Sequence, residues 1–477
     1  MAKPLYLSTT LPYVNAEPHL GFALEIVQAD IYTRYRRLVG VEVFFSTGTD
    51  EHGQKIFQRA QEEGKEPQAY VDEYAAKFRA LKESLGLSGD IHFIRTTDAR
   101  HVNAAQEIWR RCLAKGDIYK KKYKGLYCVG DEMFLKESDL VNGRCPNHPT
   151  MEPLEIEEEN YFFRLSAYQK LLEEYLSRER VIVPEWRRQE ALNFVRAELE
   201  DFSISREKSR LSWGVPVPGD ENQVMYVWFD ALTNYISTLG WPDEGGDFKK
   251  FWTDGETWQF AGKDQVRFQS IMWQAMLLSA GIKNTDRIFY HGFITSGGRK
   301  MSKSVGNVTD PLAIQKEYGT DALRYFLARH VHPFEDSDVT IERFKEAYNA
   351  DLANGLGNLV SRIMALAEKY LPGPIARPEA HGFPKKYSEA ITAYEFNKAL
   401  DVVWEKIQKL DKKIVDAEPF KLVKTDEEGG RALLTELATE LYQIMRLLNP
   451  FMPQTSKVIE EAILANKKPK NLFPRKE

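Results

Sequence analysis

The chain opens with a strand–helix–strand pattern that returns after residue 225. Residues 4–9 and 41–47 have the composition of β-strands. Between these runs, apolar side chains recur at helical spacing at Leu20, Leu24, Val27, Ile31, Tyr35 and Leu38. The later part has a helical run at 271–280 among apolar runs at 224–229, 258–261 and 288–293. Two parts with this order of elements predict the halves of one parallel sheet.

The remaining sequence changes character twice. Residues 114–224 hold a lysine cluster, cysteines and proline-bounded segments, and we interpret them as an inserted domain. After the connecting residues 293–348, apolar residues recur every three or four positions from 349 to 477. We therefore predict an α/β fold in which residues 1–113 and 225–292 form a doubly wound parallel sheet of the Rossmann type. The insertion splits this sheet, and a C-terminal all-α helical bundle follows it.

Composition limits the classes of protein that this chain can represent. Hydrophobic residues make up 43% of the 477 residues and charged residues 28%, which is typical of globular proteins. The richest apolar stretch, 271–280, is too short to cross a bilayer. The first residues lack the apolar core of a secretory signal, so we expect a cytoplasmic protein with no membrane partner. The three cysteines are too few for a disulfide framework.

The net charge of −5 argues against a protein that coats nucleic acid by bulk electrostatics. Two local lysine clusters, at 120–124 and 467–476, could still contact phosphates. Taken alone, such clusters are more often solvated surface than binding sites. Both interpretations stay open from the sequence.

Two separated motifs indicate the chemistry. The first spans residues 11–22, where a strand gives way to a helix, and includes His19 and Gly21. A helix N-terminus stabilises phosphate oxygens, His19 can donate to phosphate, and Gly21 lets a base or ribose approach the backbone. The second motif is Lys300-Met301-Ser302-Lys303-Ser304. Two lysines on a loop can neutralise the charge that grows on a leaving pyrophosphate, so both motifs suit a nucleoside triphosphate.

Together the two motifs resemble the signatures of class I aminoacyl-tRNA synthetases. Further segments resemble methionyl-tRNA synthetases in particular, namely 47–53, 226–231, 262–264, and 201–206 with 213–214. This resemblance implies an enzyme that uses ATP and Mg²⁺ to join L-methionine to tRNA(Met) through a methionyl-adenylate, releasing AMP and pyrophosphate. It also implies that residues 293–348 hold the lysine loop and contact the tRNA stem, and that the helical bundle binds the anticodon.

The resemblance also implies a methionine pocket. Methionine is unbranched and polarizable, so its pocket should combine aromatic faces, which favour sulfur contacts, with one carboxylate for the ammonium group. Asp50 matches the family's ammonium-binding aspartate. The other matching positions are Leu11, Tyr13, Trp228, Ala231, Tyr235, Gln269 and Trp273. Without the resemblance, the aromatic residues among them are equally compatible with an ordinary core.

For ATP, the resemblance implies a second set of residues. The ATP neighbours are His19, Gly21, Glu25, Lys263, Asp264, Lys300 and Lys303, with Asp264 accepting hydrogen bonds from the ribose. The implied catalytic residues are His19, Lys300, Lys303 and Arg206. Lys303 is the residue we expect to neutralise the leaving pyrophosphate, with Lys300 in support.

The chain departs from the family pattern near the expected active site. Phe22 replaces the second histidine of the first signature, and Gln269 replaces a histidine beside the methionine pocket. Gln265 stands where an apolar residue is frequent. We expect these changes to affect the reaction rate and the detail of the pocket rather than the class of reaction.

Cys128, Asp131, Cys145 and His148 resemble the family's zinc knuckle with one cysteine changed to aspartate. Zinc accepts carboxylate oxygen, so a tetrahedral zinc site is one interpretation. The other is a knuckle that has lost its metal and kept its fold, as in some members of the family.

In the bundle, Asp411, Lys412 and Phe420 fall where the family contacts the anticodon. An exposed aromatic side chain can stack on an unpaired base, and Phe473 in the basic tail is a further candidate. Ordinary helix packing is the alternative for Phe420. No additional tRNA-binding and dimerising module follows the bundle, so we expect a monomer.

Three other functions stay open at this stage. Another class I synthetase would share the signatures but not Asp50 with its surrounding aromatic residues. A catalytically inactive tRNA-binding protein is suggested by Phe22 and Gln269, although it would have no need for the lysine loop. A small-molecule nucleotidyltransferase of the same fold would leave the long helical C-terminus unexplained.

Overall fold

The structure is a computed structural model. It describes residues 2–129, 133–135, 137, 140–146, 149–296, 299–300 and 310–477. Among these residues, every helix is too short or too polar to span a bilayer.

Most strands are short, and they lie in the first three quarters of the chain. They are β1 Leu5–Thr9, β2 Val43–Thr49, β3 His92–Arg95, β4 Ile118–Cys128, β5 Met133–Leu135, β6 Leu154–Phe163, β7 Ile182–Val183, β8 Phe202–Ser203, β9 Ser205–Glu207, β10 Pro216–Val217, β11 Asp220–Met225, β12 Glu256–Gly262, β13 Arg287–His291, β14 Ile294–Ser296, β15 Arg299–Lys300 and β16 Ser337–Asp338.

The two longest α-helices, α15 Phe396–Ala417 and α17 Glu427–Leu448, lie in the C-terminal third of the chain. In chain order, the α-helices are α1 Leu20–Leu38, α2 Gln54–Glu62, α3 Pro67–Ser84, α4 Ala99–Ala114, α5 Gln169–Leu176, α6 Glu185–Arg196, α7 Val227–Ala231, α8 Asn234–Ser237, α9 Trp273–Ala280, α10 Pro311–Tyr318, α11 Thr320–Arg329, α12 Ile341–Ala347, α13 Asn358–Tyr370, α14 Lys385–Thr392, α15 Phe396–Ala417, α16 Pro419–Thr425, α17 Glu427–Leu448 and α18 Pro453–Ala465. Further turns are the 3₁₀-helices Leu165–Tyr168 and Lys263–Gln265 and the π-helices Phe248–Thr253, Phe268–Met272 and Tyr348–Gly357.

Contacts group the chain into two compact units. Unit 1 comprises Met1–Glu17, Gly40–Ala80 and Asp90–His291, and unit 2 comprises Pro18–Val39, Leu81–Gly89 and Gly292–Glu477. This division follows contact density and differs from the domain boundaries expected at residues 113, 224, 292 and 348. Those boundaries stay a prediction.

The largest sheet of unit 1 has the strand order β3-β2-β1-β12-β13-β7. Its neighbouring strands are all parallel, which confirms the predicted doubly wound α/β fold. β1 and β2 are buried along their whole length, as expected for a sheet covered on both faces. Gly48 is required where β2 meets β3, because a Cβ there would lie 1.9 Å from the carbonyl oxygen of Ile94.

The expected insertion contributes to the central sheet as well as to a small sheet of its own. β7 pairs with β13 at the edge of the central sheet. β4, which contains the first lysine cluster, pairs with the acidic strand β6 in an antiparallel sheet. Lys124 Nζ lies 2.6 Å from Glu155 Oε1, and Lys120 Nζ lies 2.9 Å from Asp220 Oδ2. Lys120 and Lys124 therefore form ion pairs with carboxylates of the same unit.

Unit 2 is mostly helical, which agrees with the predicted bundle. α15 and α17 each have 22 residues and bury apolar stripes, whose ends include Phe396 and Leu448. The basic tail packs against this unit instead of extending away from it: Phe473 is 8% exposed and contacts the Tyr348 ring. The idea that Phe473 stacks on an RNA base is therefore wrong for this conformation, because its ring is covered.

Candidate active site

Several expected methionine and ATP residues of unit 1 follow the carboxyl ends of neighbouring parallel strands. The segment with Leu11 and Tyr13 follows β1, Asp50 follows β2, and Lys263 with Asp264 follows β12. β1 pairs with β2 on one side and with β12 on the other. The strands that follow β1 are therefore added first on one side of it and later on the other. Ligands of doubly wound folds bind outside the strand ends at the point where this order reverses.

Tyr13 and Asp50 lie side by side in an isolated parallel bridge. The Asp50 N–H donates to the Pro12 carbonyl over 3.0 Å, and the Val14 N–H donates to the Asp50 carbonyl over 3.2 Å. Asp50 is buried, whereas Leu11 and Tyr13 are half-buried. Backbone hydrogen bonds therefore hold the segment that contains Tyr13 beside the one that contains Asp50.

The peptide after β2 is held by a buried ion pair. Arg95 Nε lies 2.7 Å from Glu51 Oε1, and the Glu51 side chain has no exposed surface. Trp213 Nε1 donates to the Glu51 carbonyl over 2.7 Å. Glu51, Arg95 and Trp213 thus fix the backbone next to Asp50, a support that sequence reasoning did not assign.

α7 carries Trp228 and Ala231. The Trp228 ring is half-buried and stacks on Phe268, with 3.8 Å between ring centroids and 12° between planes. Ala231 is buried. Phe268 was missed from the sequence, although its position next to Gln269 could have indicated it.

Tyr235, Gln269 and Trp273 form a buried group in unit 1. Gln269 Nε2 donates to Tyr235 Oη over 2.6 Å. The Tyr235 and Trp273 ring centroids lie 5.9 Å apart. Trp273 also contacts Trp252 and belongs to the core of this unit, so packing alone would account for its burial.

Arg206 is buried among aromatic rings. Its Nη1 donates to the Ser205 carbonyl over 2.7 Å and to Ser203 Oγ over 3.0 Å. The guanidinium carbon lies 4.5 Å from the Tyr226 ring centroid and 5.3 Å from that of Tyr127. This arrangement places a fixed positive charge on the segment that the sequence assigned to catalysis.

Lys263 and Asp264 form the 3₁₀ turn that follows β12. Asp264 is exposed, as a ribose-binding carboxylate must be, and Lys263 is half-buried. A Cβ at Gly262 would lie 2.7 Å from Asp264 Oδ1, so a larger residue there would displace the Asp264 carboxylate. Gln265 Nε2 donates to Asp264 Oδ2 over 3.2 Å, so the glutamine at this unusual position contacts the expected ATP ligand.

In unit 2, His19 caps the N-terminus of α1. Its Nδ1 accepts a hydrogen bond from the Gly21 N–H over 3.1 Å. An imidazole nitrogen that accepts carries no proton, so in the neutral ring the proton lies on Nε2, which is then a donor. His19 is exposed, while Glu25 and Phe22 are buried. A Cβ on Gly21 would lie 3.0 Å from the His19 ring, so glycine fits this cap.

The lysine motif is described only in part. The Lys300 backbone lies in β15 and pairs with Thr295 of β14. Lys303 lies outside the described residues. The assigned role of Lys303 therefore depends on its sequence motif.

Two of the four expected zinc ligands lie in one small cluster. Cys128 and Cys145 are buried there with Leu135. None of the three cysteines, all of which are described, forms a disulfide. Asp131 and His148 lie outside the described residues, and within the described part of the chain no group of three His, Cys, Asp or Glu side chains could hold a metal.

The three expected anticodon residues lie at the end of α15 and on α16. Asp411 accepts a hydrogen bond from Arg362, and Lys412 is exposed. Phe420 is 44% exposed, with Lys421 Nζ 5.8 Å from its ring centroid. An exposed ring beside a cation is available for base stacking.

Comparisons with known proteins agree with the geometry of both units. The family model described as "tRNA synthetases class I (M)" matches residues 5–153 and 148–364. A methionine–tRNA ligase of Caldanaerobacter subterraneus subsp. tengcongensis is 42% identical, with 97% of this chain and 74% of the relative covered. One of Thermotoga maritima is 40% identical, with 97% of this chain and 76% of the relative covered.

Solved structures show the same relationship. Mycobacterium tuberculosis methionyl-tRNA synthetase in complex with methionyl-adenylate has a TM-score of 0.90 and 36% identity, covering 99% of this chain and 100% of its own. The apo form of that enzyme has a TM-score of 0.84 and 33% identity, covering 100% of this chain and 99% of its own. Sequence and fold agree, and the chain belongs to the class I methionyl-tRNA synthetases.

Proposed function

We propose that this chain joins L-methionine to the 3′ end of tRNA(Met) at the expense of ATP, through a methionyl-adenylate, and releases AMP and pyrophosphate. The observation that carries the proposal is the pairing of Tyr13 with the buried Asp50 at the carboxyl edge of the sheet. The complex of the similar M. tuberculosis enzyme with methionyl-adenylate supports the intermediate.

Methionine recognition follows from the residues of unit 1. The Asp50 carboxylate accepts hydrogen bonds from the ammonium group, a charge-assisted contact. Tyr13 and Trp228 supply aromatic faces for the thioether, and the stack of Trp228 on Phe268 holds one of those faces in place. Gln269 and Tyr235 close the polar side of the pocket through their mutual hydrogen bond.

Adenylate formation needs positioning and charge stabilisation rather than a protein nucleophile. The methionine carboxylate attacks the α-phosphorus of ATP, and pyrophosphate leaves. His19 donates from Nε2 to a phosphate oxygen, while Lys300 and Lys303 neutralise the charge that grows on the leaving group. Mg²⁺, when bound with ATP, neutralises further phosphate charge. Asp264 accepts hydrogen bonds from the ribose and Arg206 provides a nearby fixed cation.

In the second step the terminal ribose hydroxyl of tRNA(Met) attacks the adenylate carbonyl, so that an ester bond forms, the bond to phosphate breaks and AMP leaves. Asp411, Lys412 and Phe420 contact the anticodon in this proposal, because Phe420 offers an exposed ring and Lys412 an exposed charge. We place the reaction in the cytoplasm, with the chain acting as a monomer. Light scattering of the purified protein tests the oligomeric state.

The proposal is tested by ATP/pyrophosphate exchange with each of the twenty amino acids in turn. Exchange that depends on methionine alone supports it. Exchange with a different amino acid would assign the chain to another specificity. No exchange with any amino acid, in protein whose circular dichroism shows a folded state, would favour a tRNA-binding protein without catalytic activity.

The zinc site is a separate proposal. Cys128 and Cys145 are buried in one cluster, and thiolates are ligands that zinc prefers. Zinc there, with Asp131 and His148, would hold the knuckle together. Metal analysis of protein purified without chelator should give one zinc per chain, and Cys145→Ser should lower that content, whereas metal-free protein with full exchange activity would identify a metal-free knuckle.

A further inference from the structure

A buried carboxylate joins two segments of unit 1 that carry proposed methionine contacts. Asp230 lies on α7, and its side chain has no exposed surface. His52 Nδ1 lies 2.6 Å from Asp230 Oδ2, and His101 Nε2 lies 2.7 Å from Asp230 Oδ1. Ser237 Oγ lies 2.9 Å from Nδ1 of His101. We call these four side chains the Asp230 bridge.

The protonation of the bridge follows from its charges. Burial would raise the pKa of Asp230, but His52 and His101 outweigh burial and lower the pKa to about 2. The carboxylate is therefore ionised at neutral pH. Because an ionised carboxylate only accepts hydrogen bonds, both imidazole nitrogens that face it must carry a proton.

The two ends of the bridge belong to the proposed amino acid site. His52 is two residues after Asp50, whose backbone N–H and carbonyl pair with Pro12 and Val14 on either side of Tyr13. On the other side, Asp230 lies between Trp228 and Ala231 on α7. One fully buried carboxylate thus connects the segment that contains Asp50 to helix α7, which carries Trp228.

Such a bridge need not stabilise the fold more than apolar packing would. A buried charged group pays a large desolvation penalty, and well-packed apolar side chains of similar volume often stabilise a core as well or better. Hydrogen bonds to both carboxylate oxygens do, however, restrict the distance and angle between the segments that donate and accept them. The bridge is therefore suited to fixing geometry.

We infer that Asp230 is a positioning residue for the amino acid site: through His52 and His101 it sets the separation of Asp50 from the face of Trp228. The inference rests on the proposed methionine-binding function. Asp230 itself touches no substrate in this arrangement. Its effect should fall on methionine recognition, because the expected ATP ligands lie on other segments, after β12 and in unit 2.

Asp117 offers a matched control in the same unit. It is buried and accepts hydrogen bonds from Tyr168 Oη and, over 2.8 Å, from Ser279 Oγ. None of these three residues flanks an expected methionine ligand. Asp117→Asn therefore disturbs a comparable buried carboxylate without touching the bridge.

The experiment compares His52→Ala with His52→Gln in methionine-dependent ATP/pyrophosphate exchange. Alanine removes the donor to Asp230, while glutamine keeps an N–H that can reach it. We expect His52→Ala to raise the KM for methionine about tenfold or more, since small errors of position have large effects in binding sites. The KM of His52→Gln for methionine should stay within about threefold of the wild-type value. In both variants the KM for ATP should change less than about twofold.

Asp117→Asn should lower the thermal midpoint without changing the KM for methionine. A folded His52→Ala protein with an unchanged methionine KM overturns the inference, and so does equal impairment by alanine and glutamine. If His52→Ala does not fold, Ser237→Ala at the far end of the bridge decides: a raised methionine KM supports positioning and an unchanged one overturns it. Wild-type protein without methionine-dependent exchange would instead contradict the proposed function.

Discussion

Asp30 and Arg324 form a fully buried ion pair in unit 2, with 2.7 Å between Asp30 Oδ2 and Arg324 Nη2. Asp30 lies on α1, the helix that His19 caps, and Arg324 lies on α11. The same guanidinium donates to the carbonyls of Phe451 over 2.8 Å and Leu85 over 3.0 Å. One arginine therefore ties α1 to the connection between α17 and α18.

Asp30→Ala should strongly destabilise unit 2, because it leaves the Arg324 charge buried and uncompensated. We expect a loss of about 3–5 kcal/mol in the free energy of unfolding, measured by urea titration. Glu461→Ala is the control, since its pair with Lys457 spans 3.9 Å and both side chains are mostly exposed. A loss below about 1 kcal/mol for Asp30→Ala would show that the pair is not a main support of the helix.

His19 caps α1, and in the proposed mechanism it also contacts phosphate. His19→Ala should remove both roles, whereas His19→Asn keeps a cap acceptor and loses the imidazole. We expect both variants to slow pyrophosphate exchange by about 10²-fold, and only alanine to lower stability, by about 1 kcal/mol. The rate of ATP/pyrophosphate exchange measures the loss of catalysis, and thermal unfolding measures the loss of stability. Full activity of His19→Asn would assign His19 to capping alone.

Lys303→Ala should slow adenylate formation far more than it weakens methionine binding. Loss of one transition-state charge partner lowers the rate by about 10²–10³-fold. Single-turnover kinetics measure the rate, and isothermal titration measures methionine affinity. Lys316→Ala, an exposed lysine on α10, is the control for a change of charge. Equal losses in rate and in methionine affinity would contradict the role assigned to Lys303.

Phe420→Ala should reduce aminoacylation of tRNA(Met) without changing pyrophosphate exchange. Stacking of one base on an aromatic ring contributes about 1–3 kcal/mol, so kcat/KM for tRNA should fall by about 5- to 150-fold. Val458→Ala removes another exposed apolar side chain of unit 2 and should have no such effect. Equal aminoacylation by Phe420→Ala and wild type would leave the residue with a packing role.

Asp230 should make unit 1 sensitive to acid. Its pKa is lowered to about 2, so the stability it contributes is complete above the unfolded pKa of about 4 and is lost as the pH falls toward 2. Relative to Asp230→Asn, wild type should lose about 2 kcal/mol more between pH 5 and pH 2 in urea titrations. If wild type and Asp230→Asn lose the same free energy of unfolding at low pH, the lowered pKa of Asp230 is contradicted.

The sequence by itself determined the class of fold and the family. Strand and helix periodicity are local, so the parallel sheet and the helical bundle could be predicted from apolar spacing. The signatures at His19 and Lys300 are also contiguous runs of residues. Asp50 could be assigned because it lies in such a run, residues 47–53, and the comparisons then confirmed the family.

Tertiary structure alone decided which side chains meet. His52 and Asp230 are 178 positions apart, and no periodicity relates them, so their contact could not be predicted. The same holds for the stack of Trp228 on Phe268 and for the burial of Phe473 under the Tyr348 ring. Local pattern specifies elements and their apolar faces, whereas packing of distant segments selects the partner of each buried polar group.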